Sequence, residues 1–185
     1  MDAGKLVRPR APSTGERDVT DRTAELPRLQ DIGVLVLLLL LCLAAGGLGA
    51  MATEPNIATW YAGLNKPPFN PPNAVFPVAW TILYLLMAMA AWLAWRAPAP
   101  DAGSRWRRLV PFFVQLVLNA IWSFAFFGAH NPLLGIIVIG VLLLAILWTI
   151  ARFWQASAGA AALLLPYLLW ICFAAVLNVS IWLLN

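Results

Sequence analysis

Apolar residues fill five stretches, 32–51, 75–95, 109–128, 133–151 and 160–184, and the breaks between them gather Pro, Gly, Asn and charge. Each stretch is close to the roughly 20 residues that a helix needs to cross a bilayer. The pattern predicts an all-α membrane protein, a bundle of five transmembrane helices spanning residues 32–185. Local signals support the breaks. Residues 101–104, Asp-Ala-Gly-Ser, offer a turn and an N-cap before the third helix, and Asn131-Pro132 offers an N-cap followed by proline at the first helical position. Ala158-Gly159 separates the fourth and fifth helices, and Pro166 is expected to kink the fifth. Residues 1–31 carry Pro9, Pro12, Gly15, Pro27 and mixed charge without an apolar period, which predicts a disordered tail. The first apolar run starts too late and runs too long for a signal peptide.

The segment between the first two helices, 52–74, is the densest in proline. Its core, "LNKPPFNPP" at 64–72, cannot be helix, because proline lacks the N–H and its ring clashes with the preceding turn. Irregular backbone at a membrane has to be supported by protein. The loop is therefore expected to lie on the helix ends as a stiff lid, anchored by Phe69 and by Trp60 and Tyr61.

Charge orients the bundle. Of twelve Lys and Arg, six lie in the first thirty residues, four in 96–108 and one at Arg152, whereas the other side carries only Lys66. This bias predicts a cytoplasmic N-terminus and an external C-terminus. Trp92, Trp95, Trp106, Trp148 and Trp154 are expected in a cytoplasmic interfacial belt, and Trp60 and Trp182 in an outer one.

Composition narrows the chemistry. The chain is 62% hydrophobic and 11% charged, with mean hydropathy +0.81, so its solvent is lipid. The net charge of +4 resides in flanks and loops and implies no nucleic-acid partner. Beyond Asp31 the only acids are Glu54 and Asp101, and there is one histidine, which leaves hydrolytic triads and carboxylate dyads without material. Cys42 and Cys172 lie in apolar runs with no metal-binding spacing.

Polar residues inside the spans are the candidate site. Gln115, Asn119 and Ser123 recur every four residues on one face of the third helix, extended outward by Trp122 and Phe126. Tyr167, Trp170, Ala174 and Asn178, with Phe173 beside them, form a similar stripe on the fifth. Trp80 and Tyr84 add a third on the second helix. Such side chains are costly in lipid and point into the bundle, so they predict an outward-facing, largely apolar ligand cavity among helices two, three and five.

The stretches "WYAGLNKPPFNPPNAVFPVAWTILY" (60–84), "QLVLNAIWSFAFFG" (115–128) and "LPYLLWICFAAVLNVSIW" (165–182) closely resemble the TspO/MBR family of tryptophan-rich sensory proteins and mitochondrial translocator proteins. The resemblance covers roughly 32–185. It implies a five-helix bundle, usually a homodimer, that binds porphyrins, haem and synthetic isoquinoline or benzodiazepine ligands, with no obligatory cofactor. Family ligand positions match Tyr61, Trp80, Asn119, Trp170 and Ala174. The C-terminal "AAVLNVSIWLLN" lacks the Tyr and Arg of a sterol-linked motif in animal members, which argues against sterol binding through it. Leu134 stands where some members have tryptophan.

Three functions are then in contention. The leading one is a tetrapyrrole-binding membrane protein of transport or sensing, in which Trp80 and Trp170 flank a porphyrin plate and Asn119, Tyr61 or Lys66 meets its polar edge. The set of candidate ligand contacts also includes Trp60, Tyr84, Trp122, Phe126, Tyr167, Phe173 and Asn178. His130 is a candidate haem ligand, against the simpler reading of a solvated loop histidine. The second function is light-dependent porphyrin degradation, with Trp80 and Trp170 as oxidisable indoles. An ion-coupled transporter or channel comes third, because the spans lack the central charges such proteins use.

Overall fold

The computed structural model describes residues 29–185, and all of them lie in helices or the connections between helices. The predicted tail falls outside the described residues except for 29–31, which are already helical. Six α-helices follow: α1 Leu29–Asn56, α2 Val75–Arg96, α3 Ala102–Ser123, α4 Pro132–Trp154, the short α5 Ala158–Ala162, and α6 Leu165–Leu184. They make five spans long and apolar enough to cross a membrane, with α5 and α6 sharing the last. This is an integral, multi-pass membrane protein.

Two predicted ends move. The first helix does not stop at 51. It passes through Pro55 and continues as a π-helical segment, Ile57–Tyr61. Proline releases a carbonyl from the helical ladder, and side chains here bond back along the chain. Thr53 Oγ1 donates to the Gly49 carbonyl (2.9 Å), Asn56 Nδ2 to Ala52 (2.8 Å) and Thr59 Oγ1 to Pro55 (3.0 Å). The irregular loop is therefore shorter than 52–74, and Trp60 and Tyr61 stand on the helix beneath it. Pro166 does not kink one long fifth helix. It sits in the first turn of α6, after a break at Leu163 and Leu164, because a proline there can start a helix but not continue one.

The predicted caps hold. Asp101 Oδ1 accepts from the Ser104 backbone N–H at 2.7 Å, and Oδ2 accepts from the Ser104 hydroxyl at 2.9 Å. These two bonds hold the Asp101 carboxyl below the usual carboxylate range. They start α3 at residue 102, about two turns before its apolar run. Asn131 Oδ1 accepts from Leu134 N (3.0 Å) with Pro132 at the start of α4.

Around the bundle the order is α1, α2, α5 with α6, α4, α3 and back to α1. α2 meets α5 but hardly α6, so the two diverge toward the end that carries the proline loop. At the other end Arg108 donates to the carbonyls of Ala94 (2.6 Å), Ala97 (3.2 Å) and Pro98 (3.0 Å), tying α3 to the end of α2. Trp92 Nε1 donates to the Asp31 carbonyl at 2.8 Å, joining α2 to α1. Trp95 is buried against Trp106, with ring centroids 4.7 Å apart, and so belongs to the core rather than to the interfacial belt.

The small residues of α1 serve packing within this chain. A Cβ on Gly46 would stand 2.6 Å from the Tyr84 ring, and one on Gly49 would stand 2.9 Å from Ser123 Oγ. Tyr84 cannot swing aside, because it is buried and its hydroxyl is hydrogen-bonded. These glycines let α1 approach α2 and α3 closely.

Candidate functional site

Close approach at Gly46 and Gly49 does not continue toward the end that carries the proline loop, and a cavity of about 400 Å³ opens in that half of the bundle. α1 forms one wall through Gly46, Gly47, Ala50, Thr53 and Ile57. α2 and the residues just before it form another through Asn73, Phe76, Trp80, Thr81 and Tyr84. α3 and its π-helical extension, Phe124–Gly128, close the back through Asn119, Trp122, Ser123 and Phe127. The exposed lining residues, among them Leu43, Gly47 and Glu54 on α1 and Pro77 and Thr81 on α2, all belong to the first two helices or the approach to α2. The cavity therefore opens sideways between α1 and α2.

The predicted residues divide into three groups. Tyr61, Trp80, Tyr84, Asn119 and Trp122 line this cavity. Trp170, Ala174, Asn178 and Phe126 do not; with Leu177 and Ile181 they line a separate space of about 30 Å³, room for little more than a water. Tyr61, Phe76, Trp80, Trp122 and Phe127 belong to both and form the partition between them. Tyr167, Trp60 and Phe173 line neither. The cavity thus lies among α1, α2 and α3, and not among helices two, three and five as the sequence suggests.

The polar groups on α3 and α6 largely satisfy one another. Tyr84 Oη donates to Asn119 Oδ1 at 2.9 Å, and Asn119 Nδ2 donates to Tyr167 Oη at 3.0 Å. This chain links α2, α3 and α6, and it leaves Tyr167 fully buried behind the cavity. Nearer the end that carries the proline loop, Trp122 Nε1 donates to Asn178 Oδ1 (3.2 Å), and Asn178 Nδ2 donates to the Pro132 carbonyl (2.9 Å). Buried amides in lipid have to find such partners. Gln115 is the exception, wholly buried with neither amide atom hydrogen-bonded among the described residues.

Trp80 is held from several sides. It stacks on Tyr84, with centroids 5.5 Å apart at 28°, and meets Tyr167 and Trp170 edge to face at 6.4 and 6.5 Å. The pair Trp80–Trp170, crossed at 82°, leaves no slot for a plate between them. A sandwiched ring would need parallel faces with a gap of about 3.5–4.0 Å on each side. The expectation that both indoles flank one ligand is corrected: Trp80 faces the cavity and Trp170 supports it from behind.

The proline loop is fixed at both ends. Tyr61 Oη donates to Asn70 Oδ1 at 2.7 Å, and Phe69 packs on Phe173 at 6.3 Å. Asn65 and Asn185 exchange bonds, with Asn65 N donating to Asn185 Oδ1 (2.9 Å) and Asn185 Nδ2 to the Asn65 carbonyl (3.0 Å). The loop covers Tyr61 and the aromatic cluster beneath it, and only Asn73 at its end reaches the large cavity. Lys66 Nζ is taken up by the carbonyls of Ala62 and Leu64 and by the Tyr61 ring, 4.8 Å from its centroid, so it does not meet a ligand in the cavity. Trp60 does not anchor the loop; it stacks on His130 at 4.8 Å. His130, at φ 52°, also bonds Asn56 Oδ1 through Nε2 at 2.7 Å. It stands on neither cavity wall and offers no axial ligand to iron held there.

Comparison with known proteins places this geometry. The model of the TspO/MBR family matches residues 38–183. "Tryptophan-rich protein TspO" of Archaeoglobus fulgidus is 44% identical over 151 residues, covering 82% of this chain and 96% of its own. "Tryptophan-rich sensory protein" of Cereibacter sphaeroides is 38% identical, covering 68% and 77%. "Translocator protein" of Homo sapiens is 37% identical, covering 66% and 73%. With the five spans and the tryptophan-lined cavity, these matches establish that the chain belongs to the TspO/MBR family.

Proposed function

We propose that this protein binds a tetrapyrrole, a porphyrin or haem, in the cavity among α1, α2 and α3, and that it acts in tetrapyrrole transport or sensing. The observation that carries the reading is an apolar cavity of about 400 Å³ with the Trp80 indole in its wall. Ligand sites fall at roughly 300–1,000 Å³, are mainly apolar and hold a few placed polar groups. An indole face stacks on a flat aromatic plate. The sideways mouth suits a ligand that partitions into lipid, because it can enter without crossing the loop. The name of the Cereibacter relative, a sensory protein, agrees with the sensing side of the proposal.

Titration of the purified protein in detergent with protoporphyrin IX tests it. The expected result is saturable binding with one plate per chain, read from the porphyrin absorbance. A linear, unsaturable response equal to that of empty micelles would rule the reading out.

The same reading places the cavity mouth nearer the external face. Arg96, Arg105, Arg107, Arg108 and Arg152 gather at one end of the bundle and Lys66 lies at the other. Reporter enzymes fused after Pro100 and after Asn185 are expected to report opposite sides, the first cytoplasmic. Agreement between the two fusions would contradict the orientation.

A further inference from the structure

The cavity mouth carries one charged side chain, and its sign is negative. Glu54, near the outer end of α1, is exposed and lines the cavity. It forms no ion pair or hydrogen bond with another described residue. No Lys, Arg or His stands on the wall with it. Lys66 and the His130 imidazole, at the same end of the bundle, are engaged elsewhere, by loop carbonyls and by Asn56.

The neutral groups do not compensate. The hydroxyls of Thr53 and Thr81 donate to carbonyls of their own helices, Gly49 (2.9 Å) and Pro77 (2.8 Å). Those of Tyr61 and Tyr84 donate to Asn70 and Asn119. Donors left on the wall are the Trp80 indole N–H, the Asn73 amide and the Ser123 hydroxyl, all uncharged. A carboxylate is an acceptor with a full charge, and it needs donors or a cation when it leaves water. This wall offers it few donors and a like charge.

We infer that Glu54 sorts ligands by charge: the cavity takes flat, apolar molecules whose edge toward the α1–α2 mouth is neutral or cationic, and it discriminates against a free carboxylate there. The inference rests on the tetrapyrrole reading and sharpens it. Esterified or otherwise neutral tetrapyrroles are the preferred class, and a free propionate has to point away from Glu54. Repulsion between like charges across a partly solvated mouth amounts to roughly a three- to tenfold difference in affinity.

The test compares protoporphyrin IX with its dimethyl ester on the full chain in a nonionic detergent. The unmodified protein is expected to bind the diester more tightly. Glu54→Gln should raise affinity for the diacid roughly three- to tenfold and leave the diester unchanged, while Glu54→Asp, which keeps the charge, should keep the preference. Equal shifts for both porphyrins, or no shift for either, overturn the inference. Should neither porphyrin bind, the tetrapyrrole reading fails and a second probe pair decides the charge rule alone. N-phenyl-1-naphthylamine and 1-anilinonaphthalene-8-sulfonate share an aromatic body and differ by the anion. A gain confined to the sulfonate in Glu54→Gln supports the rule, and an equal response of the two dyes overturns it.

Discussion

Trp80→Ala is expected to weaken protoporphyrin binding roughly five- to a hundredfold. Stacking of a flat base on one aromatic side chain is worth about 1–3 kcal/mol, a porphyrin presents at least as large a face, and about 1.4 kcal/mol makes a factor of ten. Trp80→Phe should lose less, since a smaller ring remains on the same wall. Trp170→Ala separates this account from one in which both indoles clasp the ligand. Trp170 lines only the small space behind the partition and touches Trp80 edge to face. Its removal therefore costs the ligand only the support of Trp80, for which an aromatic pair sets a bound of about 0.5–1.5 kcal/mol. The expected loss is about tenfold or less. Trp148→Ala is the control, because that indole is 49% exposed on α4 and lines neither space. Trp95 would serve poorly, being buried at the opposite end. The readout is titration by porphyrin absorbance, with thermal unfolding of each variant as the check on folding. Equal losses for Trp80→Ala and Trp170→Ala would return the ligand to the space between helices two and five.

How much of this was legible in the sequence depended on whether the signal was local. Asp101 and Asn131 cap their helices as read, because a cap is a bond between a side chain and a backbone N–H two or three residues on. The span count was legible because length and apolarity settle it. The end of the first helix was not legible, since the helix runs on past the apolar stretch and through Pro55, where Thr53, Asn56 and Thr59 bond to carbonyls four residues back. The π-helical segment after it then carries Trp60 and Tyr61 out of the loop.

The site was legible in part, for a related reason. Polar and aromatic residues announce themselves, so Trp80, Tyr84, Asn119 and Trp122 could be picked out, and all four line the cavity. The same signal also drew in Tyr167 and Asn178, whose polar atoms tie helices together instead. What makes the space is an absence. Gly46, Gly47, Gly49 and Ala50 give α1 a wall with almost no side chains, and such residues carry no polar or aromatic signal. Glu54 was noted as one of the few acids, but nothing local shows that its helix continues far enough to set it on a cavity rim.

Those glycines supply the second large effect. Gly46 and Gly47 are neighbours with opposite surroundings. A Cβ at Gly46 would collide with the pinned Tyr84 ring, whereas a Cβ at Gly47 meets nothing within 4 Å. Gly47 lines the cavity, so a phenyl group there grows from open space at the mouth between α1 and α2. Phenylalanine is also a better helix former than glycine. Gly47→Phe should therefore keep the fold and lose the ligand. Forcing a ring into space already filled costs about 1–3 kcal/mol in packed sites, and a rigid plate has less freedom to adjust than a side chain. The expected loss is at least about tenfold.

The most direct measurement of where the ligand binds is the dissociation constant of protoporphyrin IX for Gly47→Phe beside the unmodified protein, in the same detergent and with equal thermal unfolding midpoints confirmed. The α1–α2–α3 cavity predicts that affinity falls at least about tenfold while the midpoint stays within a few degrees. A folded Gly47→Phe that binds porphyrin as tightly as the unmodified chain would contradict it.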